Sequence, residues 1–332
     1  MNDPKPVIYI GSLGGTIAMK ATGARKSVTP QLQAEDLVAA VPELGDIAEI
    51  KAQAICNIAS PALQISDILQ ALAFAEAAVR AGATGIVLTH GTDTLEESAY
   101  FLDLLWEHPV PIVLTGAMRN PSMTSPDGPA NLLAAVITAS SSAARGLGVL
   151  AVLDDTIHLA RLVRKTDTTA VWTFQSPGWG PIGRVVENRA RFMWRPFQEF
   201  SPLPKPSGAA VNIPIVEVPH SDDGSWLKGI ASTHPRGLML VGSGAGHIAE
   251  GLVDPLTQLL KAGLPVILGS RVFSGTILSH TYGYKGSEED LLARGVISAG
   301  FLAPAKARIL LYVLLEAGYS LEQIRAEFAL RG

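Results

Sequence analysis

Short apolar runs alternate with longer amphipathic stretches along the first part of the chain. Buried strands that end in turn-forming residues are predicted at residues 7–10, 85–89, 112–115 and 147–153. Between them, helices are predicted at residues 66–81, 94–106 and 129–144. Ser66 is the expected N-cap of the first helix and Gly82 its stop. Repeated strand–helix units predict a mostly parallel sheet with helices on both faces.

The alternation is interrupted at residues 195–208, which contain four prolines and no periodic pattern, as expected of a linker. It then resumes, with predicted strands at residues 212–218, 238–241 and 265–269 and predicted helices at residues 248–262, 304–317 and 321–330. The predicted fold is therefore two α/β domains: a larger N-terminal one over residues 1–195, a linker over 196–208, and a smaller C-terminal one over 209–332.

Composition narrows the class of protein. The chain has 332 residues, of which 48% are apolar and 17% charged, so it is predicted to be globular rather than disordered. A formal net charge of -4 argues against a nucleic-acid-binding or membrane-surface protein, because both need clustered basic residues. No apolar stretch reaches the roughly 18 residues of a membrane span, and the N-terminus lacks a signal-peptide pattern. We therefore expect a cytoplasmic protein.

Metal and disulfide chemistry find little support in the sequence. The single cysteine, Cys56, excludes an internal disulfide and a cysteine-based zinc cluster, and its apolar surroundings predict a core position. Seven histidines and 30 carboxylates are present, but no HExxH or comparable ligand spacing occurs. No metal or organic cofactor is expected.

In open α/β sheets, ligands bind beyond the carboxyl ends of the strands. Three loops of the N-terminal domain meet this condition, at residues 11–16, 90–94 and 116–119. The first, in GSLGGTIA, ends in Thr16 and does not match the dinucleotide pattern GxGxxG. Its glycines form either a tight turn alone or a turn that admits a substrate beside the Thr16 hydroxyl.

The second loop, HGTDTLEE, places Thr92 and Asp93 at a strand-to-helix junction. One interpretation is helix capping, with Asp93 or Thr94 as N-cap and Glu96 or Glu97 completing a capping box. The other is a catalytic site, because free backbone N–H groups at such a junction suit an oxyanion. His90 itself is expected to be structural rather than catalytic.

Lys165 lies in the polar segment DTIHLARLVRKTDTT, which follows another predicted strand. A lysine is usually a solvated surface charge. If it were buried beside Thr92, however, it could lose its proton and act as a base.

Several segments together resemble the bacterial-type L-asparaginase and glutaminase-asparaginase family. They are GSLGGTIA, HGTDTLEESAYFLDLL, TGAMRNPSMTSPDGPANL, LVRKTDTTAVWTF, SRVFSGT and PAKARILLYVLL, and they span nearly the whole chain. The resemblance implies an amidohydrolase that converts L-asparagine to L-aspartate and ammonia through a threonine acyl-enzyme, with glutaminase as a side activity. It implies a small amino-acid amide as substrate and a homo-oligomer, either a dimer or the homotetramer common in the family.

The resemblance also assigns roles to individual residues. Thr16 matches the family's nucleophile, and Thr92, Asp93 and Lys165 match its catalytic triad. Asp93 additionally matches the aspartate that holds the substrate's α-ammonium group. Ser60 matches a serine that holds the α-carboxylate.

This chain departs from the family pattern at several positions. Pro61 stands where many members have a glutamine, so only its backbone can contribute to substrate binding. His247, in the segment GAGH, replaces a common asparagine and is a further candidate substrate-binding residue. An acidic residue that the neighbouring subunit contributes in the family has no clear counterpart in residues 279–287, and Glu288 and Glu289 come later.

A tyrosine is also missing. The family's N-terminal loop carries one that bonds the nucleophile, but the matching residues 19–30 contain none, with Val28 or nothing in its place. Tyr282 and Tyr284 are the candidate replacements, Tyr282 being preferred, and the alternative is that both are ordinary surface aromatics. Both lie in a glycine-flanked loop that could fold over a site of its own or a neighbouring subunit.

Two other functions are compatible with the same residues. One is an amidohydrolase of the same mechanism with a different amide substrate, which the substitutions at Pro61 and His247 would permit. The other is an amidotransferase subunit that passes ammonia to a partner. Such subunits usually have an extra N-terminal domain, whereas the first strand here is predicted to begin at Val7. A catalytically inactive amino-acid sensor would have no chemical need of the complete residue set.

Overall fold

The chain forms two compact α/β units in a computed structural model that describes residues 4–21, 28–30, 34–198 and 200–332. The first unit ends at Pro202 and the second covers Leu203–Gly332, so the division falls inside the proline-rich stretch. The predicted fold class, a larger mostly parallel α/β domain and a smaller α/β domain, is confirmed.

The first unit is built on one mixed sheet. The strands that the structure describes in this unit are β1 (Val7–Ser12), β2 (Met19–Ala21), β3 (Val28–Pro30), β4 (Glu49–Ala54), β5 (Gly85–Thr89), β6 (Ile112–Thr115), β7 (Val149–Leu153), β8 (Thr156–Leu159), β9 (Arg164–Lys165), β10 (Phe174–Gln175), β11 (Gly183–Val186) and β12 (Arg189–Phe192). Eight of these form a sheet in the order β12-β11-β8-β7-β6-β5-β1-β4. The strands from β7 to β4 in this order are parallel, and β8, β11 and β12 extend the sheet by antiparallel pairing. The carboxyl ends of β1, β5 and β6 therefore meet at one edge.

Helices cover both faces of this sheet. They are α1 (Ala34–Ala39), α2 (Leu44–Ile47), α3 (Ile65–Arg80), α4 (Leu95–Leu105) and α5 (Gly128–Ser140). Successive side chains of a strand point to opposite faces. Accordingly, Val87 of β5 packs in the cluster that contains Leu44 and Ala135, whereas Leu88 lies near Phe74 of α3. This two-sided burial explains why the central strands read as continuous apolar runs.

The predicted start of α3 is wrong by two residues. Gln64, not Ser66, is the N-cap, and it forms a capping box in which the Gln64 N–H donates to the Asp67 carboxylate at 2.8 Å. The predicted stop is confirmed, because Gly82 follows the last turn with a positive φ of 90°.

The second unit has a smaller, parallel sheet. Its strands β13 (Ile215–Glu217), β14 (Leu238–Gly242), β15 (Val266–Ser270) and β16 (Ile297–Ser298) lie in sequential order. Its helices are α6 (Ser225–Ser232), α7 (Val253–Lys261), α8 (Glu288–Ala293), α9 (Pro304–Glu316) and α10 (Leu321–Arg331). The helix predicted from residue 248 begins later, at Val253, because Glu250–Leu252 form a 3-10 turn first.

In the described ranges, no helix has both the length and the apolar character that crossing a membrane requires.

Candidate active site

Two of the predicted ligand loops touch through glycine backbone. Gly15 follows β1 with a positive φ of 86°, and a Cβ atom added there would lie 2.4 Å from the Cα of Gly91. Any other residue at position 15 would therefore clash with the loop that follows β5. Thr16 and Thr92 are the next residues after these two glycines, so the close approach brings the two threonine loops together at the carboxyl edge of the sheet.

Ser60 lies on the same edge and bears on the capping interpretation of the HGTDTLEE segment. Its buried side chain packs against Gly91, and its carbonyl accepts a hydrogen bond from Thr94 Oγ1 at 2.9 Å. Thr94 does occupy the N-cap position of α4, but its side chain makes no capping bond and no capping box forms. The hydroxyl of Thr94 instead ties α4 to the segment that contains Ser60.

Lys165 connects the threonine and the aspartate of the second loop. Its Nζ donates to Thr92 Oγ1 at 3.0 Å and to Asp93 Oδ1 at 2.6 Å. The Lys165 side chain is only 17% exposed, whereas that of Asp93 is 61% exposed. An ion pair with one solvated partner adds little to stability. The arrangement instead holds an amine within proton-transfer distance of a hydroxyl and leaves the carboxylate open to solvent.

A carboxylate of α4 fixes the backbone that presents this lysine. Glu96 Oε2 accepts from the Lys165 N–H at 2.5 Å, across 69 residues of sequence. The short strand β9, which contains Lys165, also pairs antiparallel with β10. In the sequence analysis Glu96 appeared only as one of two candidates for a capping box, so its contact with the lysine backbone was missed.

The third ligand loop is held by two further residues that the sequence analysis did not single out. Asp127 accepts from the backbone N–H groups of Met118 and Arg119 at 3.0 and 2.8 Å. Asn131 donates to the Gly116 carbonyl at 2.9 Å and accepts from the Asp154 N–H at 2.9 Å, so it joins the loops after β6 and β7. Both residues lie in the segment TGAMRNPSMTSPDGPANL, which was the only sequence signal for them.

His90, at the end of β5, is buried in the same region. Burial lowers its pKa to about 4, although a hydrogen bond with the Gly91 carbonyl opposes that shift. The imidazole is therefore neutral at neutral pH. It is enclosed by protein and is 1% exposed.

In the second unit, His247, Tyr282 and Tyr284 form an aromatic cluster. The His247 ring packs edge-on against both tyrosines, with centroid distances of 4.8 and 5.5 Å. His247 Nε2 contacts Glu288 Oε2 at 2.9 Å. The two tyrosines are 43% and 50% exposed, so the cluster presents its phenol rings to solvent.

Glu288 holds the buried side of this cluster. Its side chain is fully buried and accepts from the N–H groups of Thr281 and Tyr282 at 3.1 and 3.0 Å. Burial alone would raise the pKa of Glu288. The backbone donors of Tyr282 and Thr281, together with His247, outweigh that effect and hold the pKa below its usual value.

The structure thus brings five of the predicted site residues to one region of the first unit: Thr16, Ser60, Thr92, Asp93 and Lys165. Pro61 follows Ser60 in a 3-10 turn and is exposed. Of the N-terminal loop at residues 19–30, which has no tyrosine, residues 22–27 lie outside the described residues. Across the described part of the chain, no three side chains of His, Cys, Asp or Glu converge in a way that would hold a metal ion.

Family models match both units of the chain. The model described as "Asparaginase, N-terminal" matches residues 7–198, and the one described as "Glutaminase/Asparaginase C-terminal domain" matches residues 212–328. The chain belongs to the asparaginase family. It is accordingly a hydrolase that acts on amide bonds.

Individual relatives agree with this assignment. The chain is 35% identical to L-asparaginase 2 of Escherichia coli (strain K12), over 97% of this chain and 92% of that protein. It is 34% identical to a probable periplasmic L-asparaginase of Haemophilus influenzae, over 93% and 88% of the two chains. A crystal structure of a probable cytoplasmic L-asparaginase from Campylobacter jejuni superposes with a TM-score of 0.88, at 33% identity and 98% coverage of this chain and 99% of that one.

Proposed function

We propose that this asparaginase hydrolyses L-asparagine to L-aspartate and ammonia through an acyl-enzyme on Thr16. The proposal rests on two contacts of Lys165 Nζ, one with Thr92 Oγ1 and one with Asp93 Oδ1. The loop that contains Thr92 and Asp93 lies against the loop that ends in Thr16. A nucleophile, a hydroxyl that can relay protons and an amine that can accept one are the groups that two-step amide hydrolysis needs.

In the first step, the Thr16 hydroxyl attacks the carbon of the substrate's side-chain amide. The Thr16 proton passes through a neighbouring hydroxyl, for which Tyr282 is proposed below, to the amide nitrogen, and the negative charge that develops on the amide oxygen is stabilised by backbone N–H groups at the start of α4. The C–N bond then breaks, ammonia leaves with one added proton, and a β-aspartyl ester remains on Thr16.

In the second step, water attacks the ester. The step uses Lys165 as the neutral amine: Thr92 receives the water proton and passes its own proton to Lys165 Nζ, which lies 3.0 Å from the Thr92 oxygen. The ester C–O bond breaks, Thr16 regains a proton, and L-aspartate is released. Asp93 keeps the lysine amine in place during both steps.

Substrate recognition follows from the groups around the nucleophile. The exposed carboxylate of Asp93 faces the α-ammonium group of the amino acid, and Ser60 binds the α-carboxylate. The Pro61 backbone and His247 are further proposed contacts. His247 offers a ring that its contact with Glu288 orients.

A hydroxyl beside Thr16 would orient the nucleophile and relay its proton. We propose Tyr282 for this role, with Tyr284 as the alternative. The phenol ring of Tyr282 is exposed, and its backbone is fixed by Glu288, so the ring is available for a contact made in the substrate-bound state. The contact would be with Thr16 of the same or a neighbouring subunit, in the homotetramer that we propose or in a dimer.

The other partners follow from the same proposal. The ligand is a small amino-acid amide, with L-glutamine as a slower substrate in keeping with the glutaminase/asparaginase domain. The proposed mechanism uses no metal or organic cofactor, no nucleic acid and no membrane. A cytoplasmic location is supported by the name of the Campylobacter jejuni relative, whereas the Haemophilus influenzae relative is named periplasmic. The near-complete match to asparaginases does not favour another amide substrate or an amidotransferase subunit.

Ammonia release from a panel of amides tests the proposal. The panel contains L-asparagine, D-asparagine, L-glutamine, acetamide and succinamate, which is asparagine without its α-amino group. We expect the largest kcat/KM for L-asparagine and a loss on the order of a hundredfold or more for succinamate, because its contact with Asp93 is missing. Equal rates for succinamate and L-asparagine would contradict the assigned role of Asp93.

A further inference from the structure

His90 is a buried polar side chain that the proposed mechanism does not use. It is 1% exposed and lies two residues before Thr92. With a pKa of about 4, the imidazole is neutral above that pH, and its burial keeps it from touching a substrate. If it affects the reaction, it must act through the residues that it contacts.

The hydrogen-bond partner of His90 defines the tautomer. Nδ1 lies 2.7 Å from the Gly91 carbonyl oxygen, and because a carbonyl only accepts, Nδ1 carries the hydrogen. Nε2 is then an acceptor, and within the described residues it has no partner although it is buried. The free energy that is lost when an acceptor is buried without a partner exceeds the stabilisation that one neutral hydrogen bond contributes. Stability of the fold therefore gives little reason for an imidazole at this position.

The bond from His90 acts on the peptide that leads into Thr92. In a trans peptide the C=O and N–H groups point in opposite directions, and the described chain contains no cis peptide bond. Holding the Gly91 carbonyl toward the imidazole therefore turns the Thr92 N–H to the opposite side. Across the described ranges, this N–H makes no hydrogen bond to the protein, although Thr92 is buried. A buried free donor of this kind is available to a ligand.

The surrounding backbone is already fixed. The His90 N–H donates to the Thr115 carbonyl at 2.8 Å, and a Cβ atom added at Gly116 would lie 2.5 Å from the His90 carbonyl oxygen. Gly15 closes the other side of Gly91. Among the described residues, the His90 imidazole is the side chain that hydrogen-bonds to the Gly91–Thr92 peptide.

We propose that His90 is a positioning residue that aims the Thr92 backbone N–H at the oxyanion of the reaction. The Nδ1–H bond to the Gly91 carbonyl sets the peptide plane before substrate arrives. This inference rests on the proposed function, because it assumes that Thr16 attacks an amide carbonyl beside Thr92. The donor matters mainly when the carbonyl oxygen gains charge, so its alignment affects kcat and leaves KM nearly unchanged.

Two isosteric amides separate the roles of the ring nitrogens. In His90→Asn the amide nitrogen stands near the position of Nδ1 and keeps a donor for Gly91, whereas in His90→Gln it stands near Nε2 and that donor is lost. We expect His90→Gln to lower kcat about tenfold to a hundredfold with KM within about twofold. We expect His90→Asn to retain kcat within about threefold of the wild type, since the aligning bond survives.

The outcomes of this pair are distinct. Wild-type kcat in His90→Gln would overturn the proposal, as would equal kcat losses in both variants that follow equal losses of thermal stability. Nitrogen NMR of the wild-type imidazole gives a test that needs no variant, with Nδ1–H expected and Nε2–H contradicting the inference. Failure of the proposed function would appear differently, as no ammonia from L-asparagine with the wild type or as full activity in Thr16→Ala.

Discussion

The catalytic edge of the first unit and the aromatic cluster of the second are built in different ways. At the edge, Gly15 and Gly91 touch through their backbones, and Thr92 is buried beside Lys165. In the cluster, Tyr282 and Tyr284 have about half of their surface exposed. The edge of the first unit fixes its functional groups by backbone contact, whereas the aromatic cluster of the second unit exposes its rings to solvent on a loop.

The difference indicates how far each region is organised before a ligand binds. Groups that stabilise a transition state work best when they are already oriented, and at the edge Glu96 binds the Lys165 N–H and His90 the Gly91 carbonyl. In the cluster, Glu288 accepts from the Tyr282 N–H and the rings pack on one another, while about half of each tyrosine remains exposed. We therefore expect the edge to determine the chemical steps and the tyrosines to contribute through a closing movement.

The largest expected effect is loss of either threonine hydroxyl at the edge. Thr16→Ala and Thr92→Ala should each lower kcat on the order of a thousandfold or more, because each hydroxyl serves a different chemical step. Circular dichroism and thermal midpoints should stay near those of the wild type, since neither hydroxyl anchors the core. Steady-state ammonia release measures kcat, and a residual rate above about a tenth, or 1.4 kcal/mol of barrier, would contradict the assigned role.

The tyrosines sharpen the comparison. Tyr282→Phe should lower kcat about tenfold to a hundredfold, because it removes the proton relay of Thr16 while the nucleophile itself remains, and Tyr284→Phe serves as the matched control. A liganded crystal structure should place the Tyr282 oxygen within hydrogen-bond reach of Thr16. The proposal for this residue fails if both variants run at the wild-type rate and neither ring approaches Thr16.

A stability measurement tests the burial of His90. Its pKa is lowered from 6.5 to about 4 on folding, so the unfolded chain binds the extra proton first as the pH falls. His90 therefore costs no stability from titration above pH 6.5, and acidification from that pH to 4 destabilises the fold by at most about 3 kcal/mol. Denaturant unfolding at pH 7 and pH 4.5 should show a smaller acid loss in His90→Asn than in the wild type. Identical losses would mean that the imidazole is not buried as a neutral group.

The smallest expected effect is that of metal removal. Dialysis against a chelator should leave ammonia release unchanged, because the proposed steps use threonine hydroxyls and an amine. A clear loss that zinc or magnesium restores would overturn this part of the mechanism.

The central strands were predictable because burial on both faces leaves continuous apolar runs, as in β5 and β6. The edge strands were not. β4 has an alternating, half-exposed pattern, EIKAQA, without a strong apolar signal. β11 and β12 are joined through Glu187 and Asn188, both at positive φ, and this pair lacks the glycine that usually marks such a hairpin.

For the site, the loops after strands and the motif residues could be located from the sequence, because parallel strands place their carboxyl ends together. The residues that orient them could not. Glu96 is four residues from Thr92 in sequence and looks like a helix-capping residue, yet it binds the backbone of Lys165. A contact across 69 residues is decided by the packing of α4 and β9, which no local pattern encodes.

Trapping the acyl-enzyme tests the central claim most directly. In Lys165→Met the second step loses its base while the Thr16 hydroxyl remains, so the β-aspartyl ester should accumulate. Rapid acid quenching after mixing with L-asparagine, followed by peptide mass spectrometry, identifies the modified residue. We predict one aspartyl group on Thr16 and none in the double variant Thr16→Ala, Lys165→Met. An aspartyl group on Thr92, or on another residue in place of Thr16, would contradict the account.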